Sequence, residues 1–125
     1  MENLFIQGNT DTPTISFDTH KNSFEVSGKI MPEDAAKCFE PMRNWFIDHG
    51  KLLKNQTKIV FKLDYINLES CKELLNLLIL VEKSILLEGN SIEIDWYVKE
   101  NNSIVQDTGQ DLAELIKIPV NFKKY

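Results

Sequence analysis

Two stretches of this chain, residues 58–65 and 91–99, alternate in polarity along their length. Ile59, Phe61, Leu63 and Tyr65 stand against Val60, Lys62 and Asp64, and Ile92, Ile94, Trp96 and Val98 against Glu93, Asp95, Tyr97 and Lys99. Successive side chains of a strand point to opposite faces, so each stretch reads as a strand with one apolar and one polar face. A parallel strand covered by helices on both faces would read as a continuous apolar run instead. The sheet is therefore expected to carry helices on one face and to leave the other open to water or a partner.

The remaining elements arrange themselves around this sheet. Residues 14–18 and 23–27 also alternate, through Ile15, Phe17, Phe24 and Val26, and Thr19-His20-Lys21-Asn22 between them has turn chemistry. The pair reads as an antiparallel hairpin ended by Gly28. Pro32-Glu33-Asp34 opens a first helix, with proline at its first position and two acids facing the positive end of the dipole. The stripe Ala35, Cys38, Phe39, Met42, Trp45, Phe46 and His49 follows at helical spacing, with Pro41 inside it as an expected kink and Gly50 as its stop. A second helix is predicted over 70–88. Ser70-Cys71-Lys72-Glu73 has the spacing of a capping box at its start, and Gly89-Asn90 ends it. A third, over 104–116, puts Val105, Thr108, Leu112, Leu115 and Ile116 on one side, with Gly109 as a soft point and Pro119 beyond its end. Residues 120–122 add a short last strand or simply pack. The predicted fold class is α/β, in the order β-β-α-β-α-β-α: two layers, a mixed but mostly parallel sheet, and helices on one face.

At 125 residues, the chain reads as one domain with one core. Its net charge of −5 and scattered basic residues argue against nucleic acid or an anionic membrane as the main partner. No basic region followed by an apolar run stands at the start, so no secretory signal is read there. The most apolar segment, 74–87, is interrupted by Asn76, Glu82, Lys83 and Ser84 and is too short for a bilayer. A cytoplasmic protein is expected. Residues 1–8 come close to a protease-site tag but lack its Tyr-Phe pair, and read as native chain.

Little here looks catalytic. His20 lies in a turn and His49 at a helix end, with no paired ligand spacing, so neither a metal nor a cofactor is expected. Cys38 and Cys71 fall on helix stripes without a histidine partner in sequence, and read as reduced, packed thiols. Phosphate-loop, nucleophile-elbow and dinucleotide motifs are missing. Glu33-Asp34 and Glu93/Asp95 are explained by a solvated helix start and a solvated sheet face. An enzyme is the weakest reading.

The sharpest site is the corner Asn67-Leu68-Glu69-Ser70-Cys71-Lys72, which delivers side chains to the positive end of the second helix. Asn67 and Ser70 can each cap free N–H groups there. Capping is the first reading; the second is a regulatory position, where an added phosphate gains from the dipole yet changes the charge of a binding surface. Down the same helix, Leu74, Leu75, Leu77, Leu78, Val81 and Ile85 share the core arc. Leu80 and Leu87 fall near the opposite side, beside Glu73, Asn76 and Lys83. That stripe is either covered by a neighbouring helix or offered to a partner. Glu82 lies near the core arc and is expected to reach outward.

The element order, with a hydroxyl corner after the central strand, resembles the STAS fold of anti-sigma-factor antagonists. More specifically, the chain resembles the SiaC family of bacterial regulatory phosphoproteins. The pieces that carry the likeness are Thr12-Pro13-Thr14-Ile15-Ser16-Phe17-Asp18, Phe24-Glu25-Val26-Ser27-Gly28, Met31-Pro32-Glu33-Asp34-Ala35, Phe39-Glu40-Pro41, Asp64-Tyr65-Ile66-Asn67 and Trp96-Tyr97. The resemblance implies a non-enzymatic partner switch controlled by a kinase and a phosphatase. The implied target is a diguanylate cyclase, and with it cyclic-di-GMP and biofilm behaviour. It also implies a phosphoacceptor threonine directly after the corner asparagine, a position held here by Leu68. Three outcomes then stay open: Ser70 takes the phosphate, Glu69 supplies a permanent charge, or the partner is bound without a switch. The partner-binding residues expected on this reading are Asn67, Leu68, Glu69, Ser70, Lys72, Asn76, Leu80, Lys83 and Leu87. A small-ligand sensor using Tyr97, Lys62 and Asp64 on the open sheet face is the alternative.

Overall fold

The computed structural model describes residues 2–53, 56–86 and 91–125. Its elements are β1 (Leu4–Ile6), β2 (Thr14–Asp18), β3 (Ser23–Ile30), α1 (Ala35–His49), a short 3-10 turn (Gly50–Leu52), β4 (Thr57–Ile66), α2 (Leu68–Leu86), β5 (Ile92–Val98), α3 (Ser103–Leu115) and β6 (Val120–Lys124). The six strands form one sheet in sequence order. The first three are antiparallel neighbours and the rest pair in parallel, so the sheet is mixed and mostly parallel, as expected.

The alternating stretches bury one face. Ile15, Phe17, Phe24, Val26, Ile59, Phe61, Leu63, Ile92, Ile94 and Trp96 all lie in the core beside Phe39, Met42, Trp45 and Phe46 of α1 and Leu74, Leu77, Leu78 and Val81 of α2. Phe17, Phe24, Trp45 and Phe46 meet mostly edge to face, with centroids 5.1 to 5.6 Å apart. The opposite face is a polar lattice: Lys62 pairs with Glu25 at 3.5 Å and Lys99 with Asp64 at 2.7 Å. Asp95 departs from the expectation of a solvated carboxylate. It is only 4% exposed, because Lys58, Lys123 and Asn121 close over it.

Several expectations need correction. β1 was not foreseen, since three residues are too short to show an alternation; it adds to β2, and the Trp45 indole N–H donates to the carbonyl of Glu2 at 2.8 Å. Gly28 does not end its strand. It takes a φ of +99° at a register shift, and β3 runs on to Ile30. Pro32 lies outside α1; Asp34 is the N-cap, its carboxylate accepting the Lys37 N–H, and the helix continues through Pro41 to His49. The final strand is longer than 120–122 and pairs with β5 throughout. In α3, Val105 and Leu112 of the predicted stripe are buried, and so is Ile116 at its end, but Leu115 is exposed and Gly109 takes an inward place. Gly109 is a close approach and not a soft point, because a Cβ there would sit 2.4 Å from Trp96 Nε1.

Candidate functional site: the corner where β4 meets α2

The corner is set by backbone and cap together. Asn67 N–H donates to the Ile30 carbonyl at 2.9 Å, tying the end of β4 to the end of β3. Its side-chain oxygen accepts the Ser70 N–H at 3.0 Å, and its carbonyl accepts the Cys71 N–H at 3.0 Å. Asn67 is therefore the N-cap, and α2 starts two residues earlier than the capping-box pattern predicts. Glu73, the supposed second half of that box, reaches sideways to Arg43 of α1 at 3.4 Å.

The predicted binding residues separate into three groups. Leu68, Glu69, Lys72, Asn76 and Lys83 are exposed, and Asn67 is half-buried. Glu69 and Lys72 approach to 3.8 Å, and with Asn76 and Lys83 they recur at helical spacing as one solvent-facing stripe. Leu68 is 70% exposed at the first position of the helix. Ser70 is 0% exposed, and its hydroxyl has no hydrogen-bond partner among the described residues. Leu80 packs against the core, because α2 is flanked by α1 and α3 and its apolar arc is wider than one sheet-facing stripe. Leu87 lies outside the described residues, as do Gly89 and Asn90.

The other chemistry-bearing groups are tied into structure. Glu82 turns its carboxylate to the backbone N–H groups of Lys117 and Ile118 and so anchors the approach to β6. The Cys71 thiol lies 3.8 Å from the Thr108 hydroxyl across α2 and α3. Burial raises the pKa of both thiols, which disfavours thiolate. The His49 ring lies against Trp45. Among the described residues, no cluster of three or more His, Cys, Asp or Glu side chains could hold a metal, and no helix is long and apolar enough to cross a membrane. On the open face, Lys62 sits 5.0 Å from the Tyr97 ring centroid as well as on Glu25, and Asp64 is held by Lys99. A cleft of about 840 Å³ lies beyond them, between α3 and the end of β6, lined by Gln106, Gln110, Phe122 and Tyr125 among others. The polar residues named for a ligand sensor are held by neighbours on the sheet face, and Tyr97, Lys62 and Asp64 are not in the lining of that cleft.

The fold and the corner define a class: a one-sided α/β sheet domain with an exposed corner at the start of the helix that follows its central strand. The chain belongs to the SiaC family of regulatory phosphoproteins, whose model matches residues 6–125. An uncharacterised protein of Pseudomonas aeruginosa strain UCBPP-PA14 is 24% identical over 122 residues, covering 95% of this chain and 94% of that one. The fold is similar to that of SiaC of Pseudomonas aeruginosa, with a TM-score of 0.86 at 20% identity over 100% of both chains. It is equally similar to a chain in the crystal structure of the diguanylate cyclase SiaD in complex with its activator SiaC, from the same organism. There the TM-score is 0.85 at 21% identity, covering 98% of this chain and 99% of that one.

Proposed function

We propose that this protein is a non-enzymatic cytoplasmic adaptor that binds and activates a diguanylate cyclase through the start of α2. The observation that carries the reading is Leu68, a large apolar side chain held open at the first position of a capped helix, in a family one of whose folds is known as a cyclase activator. Such a residue adds nothing to the core and little to the cap, which leaves it available to a partner. Glu69, Lys72, Asn76 and Lys83 continue the surface down the helix.

A kinase and a phosphatase enter this reading through the family's regulatory phosphoproteins. Ser70 is the hydroxyl within the corner, and its burial means that the first turn of α2 must open before a phosphate can be transferred. Once in place, the phosphate would meet the helix dipole and alter the charge beside Leu68.

The test is cyclic-di-GMP synthesis by a diguanylate cyclase from the same genome, with and without this protein. Stimulation that disappears in Leu68→Asp supports the reading, whereas no binding and no stimulation by the wild-type chain overturns it. Intact-mass analysis after incubation with the cognate kinase tests the switch separately. A single phosphate absent from Ser70→Ala supports it, and an unchanged mass leaves an adaptor without a switch.

A further inference from the structure

The helix layer stops short of the last strand. Trp96 of β5 and Phe122 of β6 are register partners, so both side chains point to the helix side of the sheet. Trp96 is 1% exposed, because α3 lies against its indole at Gly109, whereas Phe122, one strand further out, is 46% exposed. The cleft of about 840 Å³ occupies the space left over it, within the size range of small-molecule sites. Gln106 and Gln110, four residues apart and so on one side of α3, border it with two side-chain amides. Thr108, which meets Cys71 of α2, is on the opposite side of the helix. The cleft therefore faces away from α2 and its corner. Its end is built in advance. The Asn102 N–H closes a turn on the Lys99 carbonyl at 3.2 Å, and the Tyr125 ring is held edge-on by Tyr97, with centroids 5.6 Å apart, and by the Lys99 ammonium at 5.2 Å.

We infer that this cleft binds an uncharged planar heteroaromatic of nucleoside size, its ring stacked on Phe122 and its hydrogen-bonding edge met by Gln106 or Gln110. The ring and the amides select the class. An open aromatic face stacks any base. A carboxamide, with a donor and an acceptor side by side, matches an amino group beside a ring nitrogen, as in adenine. The charges exclude a strong preference for an anion. Lys99 is engaged by Asp64 and Lys123 by Asp95, which leaves Lys124 and Glu100 in the lining without an ion pair among the described residues. The exposed Asp107 and Asp111 of α3 add only acids outside the lining. The inference is independent of the adaptor reading.

The test is a titration of the full chain with adenosine, followed by backbone amide shifts in nuclear magnetic resonance spectra, with adenosine 5′-monophosphate and inorganic phosphate in parallel. Saturable shifts with adenosine at residues 98–101, 106–110 and 122–125 are expected, with no tighter binding of the monophosphate and none of phosphate alone. Phe122→Leu, which keeps an apolar side chain but removes the ring, should weaken binding by about tenfold or more. The Gln106→Ala/Gln110→Ala variant, altered only at exposed amides, should weaken it too, and decides the matter if Phe122→Leu fails to fold. No saturable shift, shifts centred elsewhere, or wild-type affinity in the folded variants overturns the site. A monophosphate bound more than tenfold tighter than adenosine overturns the uncharged class.

Discussion

The side-chain oxygen of Asn67 takes the backbone N–H of Ser70 at 3.0 Å, and the Ser70 hydroxyl, without a partner among the described residues, is fully buried. One residue caps the helix and the other is enclosed beneath its first turn, while Leu68 and Glu69 between them face the solvent. The exposed part of this corner is therefore Leu68 and Glu69, with Lys72 one turn further on.

Removing the cap should loosen that arrangement without unfolding the protein. Asn67→Ala is expected to lower stability by about 1 kcal/mol, and Asn67→Asp, which keeps an acceptor, by much less. Urea unfolding followed by far-ultraviolet circular dichroism measures both. An alanine variant as stable as wild type would mean that the cap is dispensable.

Ser70 responds differently to a small and to a charged replacement. Ser70→Ala removes an unsatisfied buried hydroxyl and is expected to be neutral or stabilising by about 1 kcal/mol. Ser70→Asp buries a carboxylate without a partner and is expected to cost about 3 kcal/mol or more. A common attempt to imitate phosphorylation would then report an opened first turn and not a phosphorylated surface. Equal unfolding midpoints for the two variants would contradict the burial.

Gly109 tests the packing of α3 on the sheet. Alanine would gain about 1 kcal/mol in helix propensity, but its Cβ meets Trp96 Nε1 at 2.4 Å and Cδ1 at 2.6 Å. The indole cannot easily retreat, since Nε1 donates to the Val105 carbonyl at 2.9 Å inside the core. Overpacking of this kind costs about 1–3 kcal/mol and should win. Gly109→Ala is expected to lower the urea midpoint and to shift the Trp96 fluorescence; a stabilised variant would show that α3 lifts freely.

Alkaline pH should destabilise the fold from the thiols onward. Burial holds the protons of Cys38 and Cys71 above their ordinary value of 9.0; for Cys71 the Thr108 hydrogen bond opposes this and Asp111 adds to it. Above that pH the unfolded chain releases protons that the folded chain keeps, so stability falls as pH rises. Lys99 has the same sign at higher pH. Its hydrogen bond and charge contact with Asp64 raise its pKa, and the stability it contributes is present below lysine's ordinary 10.5 and lost as pH rises through the folded value. Urea midpoints measured at increasing pH should drop, and the Cys38→Ala/Cys71→Ala double variant should remove the first part of the drop. A midpoint that rises over this range would contradict the direction.

Period-two alternation in 14–18, 23–27, 58–65 and 91–99, together with helical stripes between them, determined the order of the main elements and the bare flank of the sheet, because a face that meets water must carry polar side chains. The same local rules pointed to the Asn67–Lys72 corner. They could not say which of its side chains would emerge, because burial of Ser70 and exposure of Leu68 depend on how α2 is rotated against its neighbours. Distant contacts also decided that three residues near the start become an edge strand, that Asp95 is enclosed on an otherwise open face, that Glu82 anchors the approach to β6 and that Gly109 must remain small against Trp96. Above all, the bond from Asn67 N–H to the Ile30 carbonyl joins residues more than thirty positions apart, and only the parallel register of β3 and β4 brings their ends together.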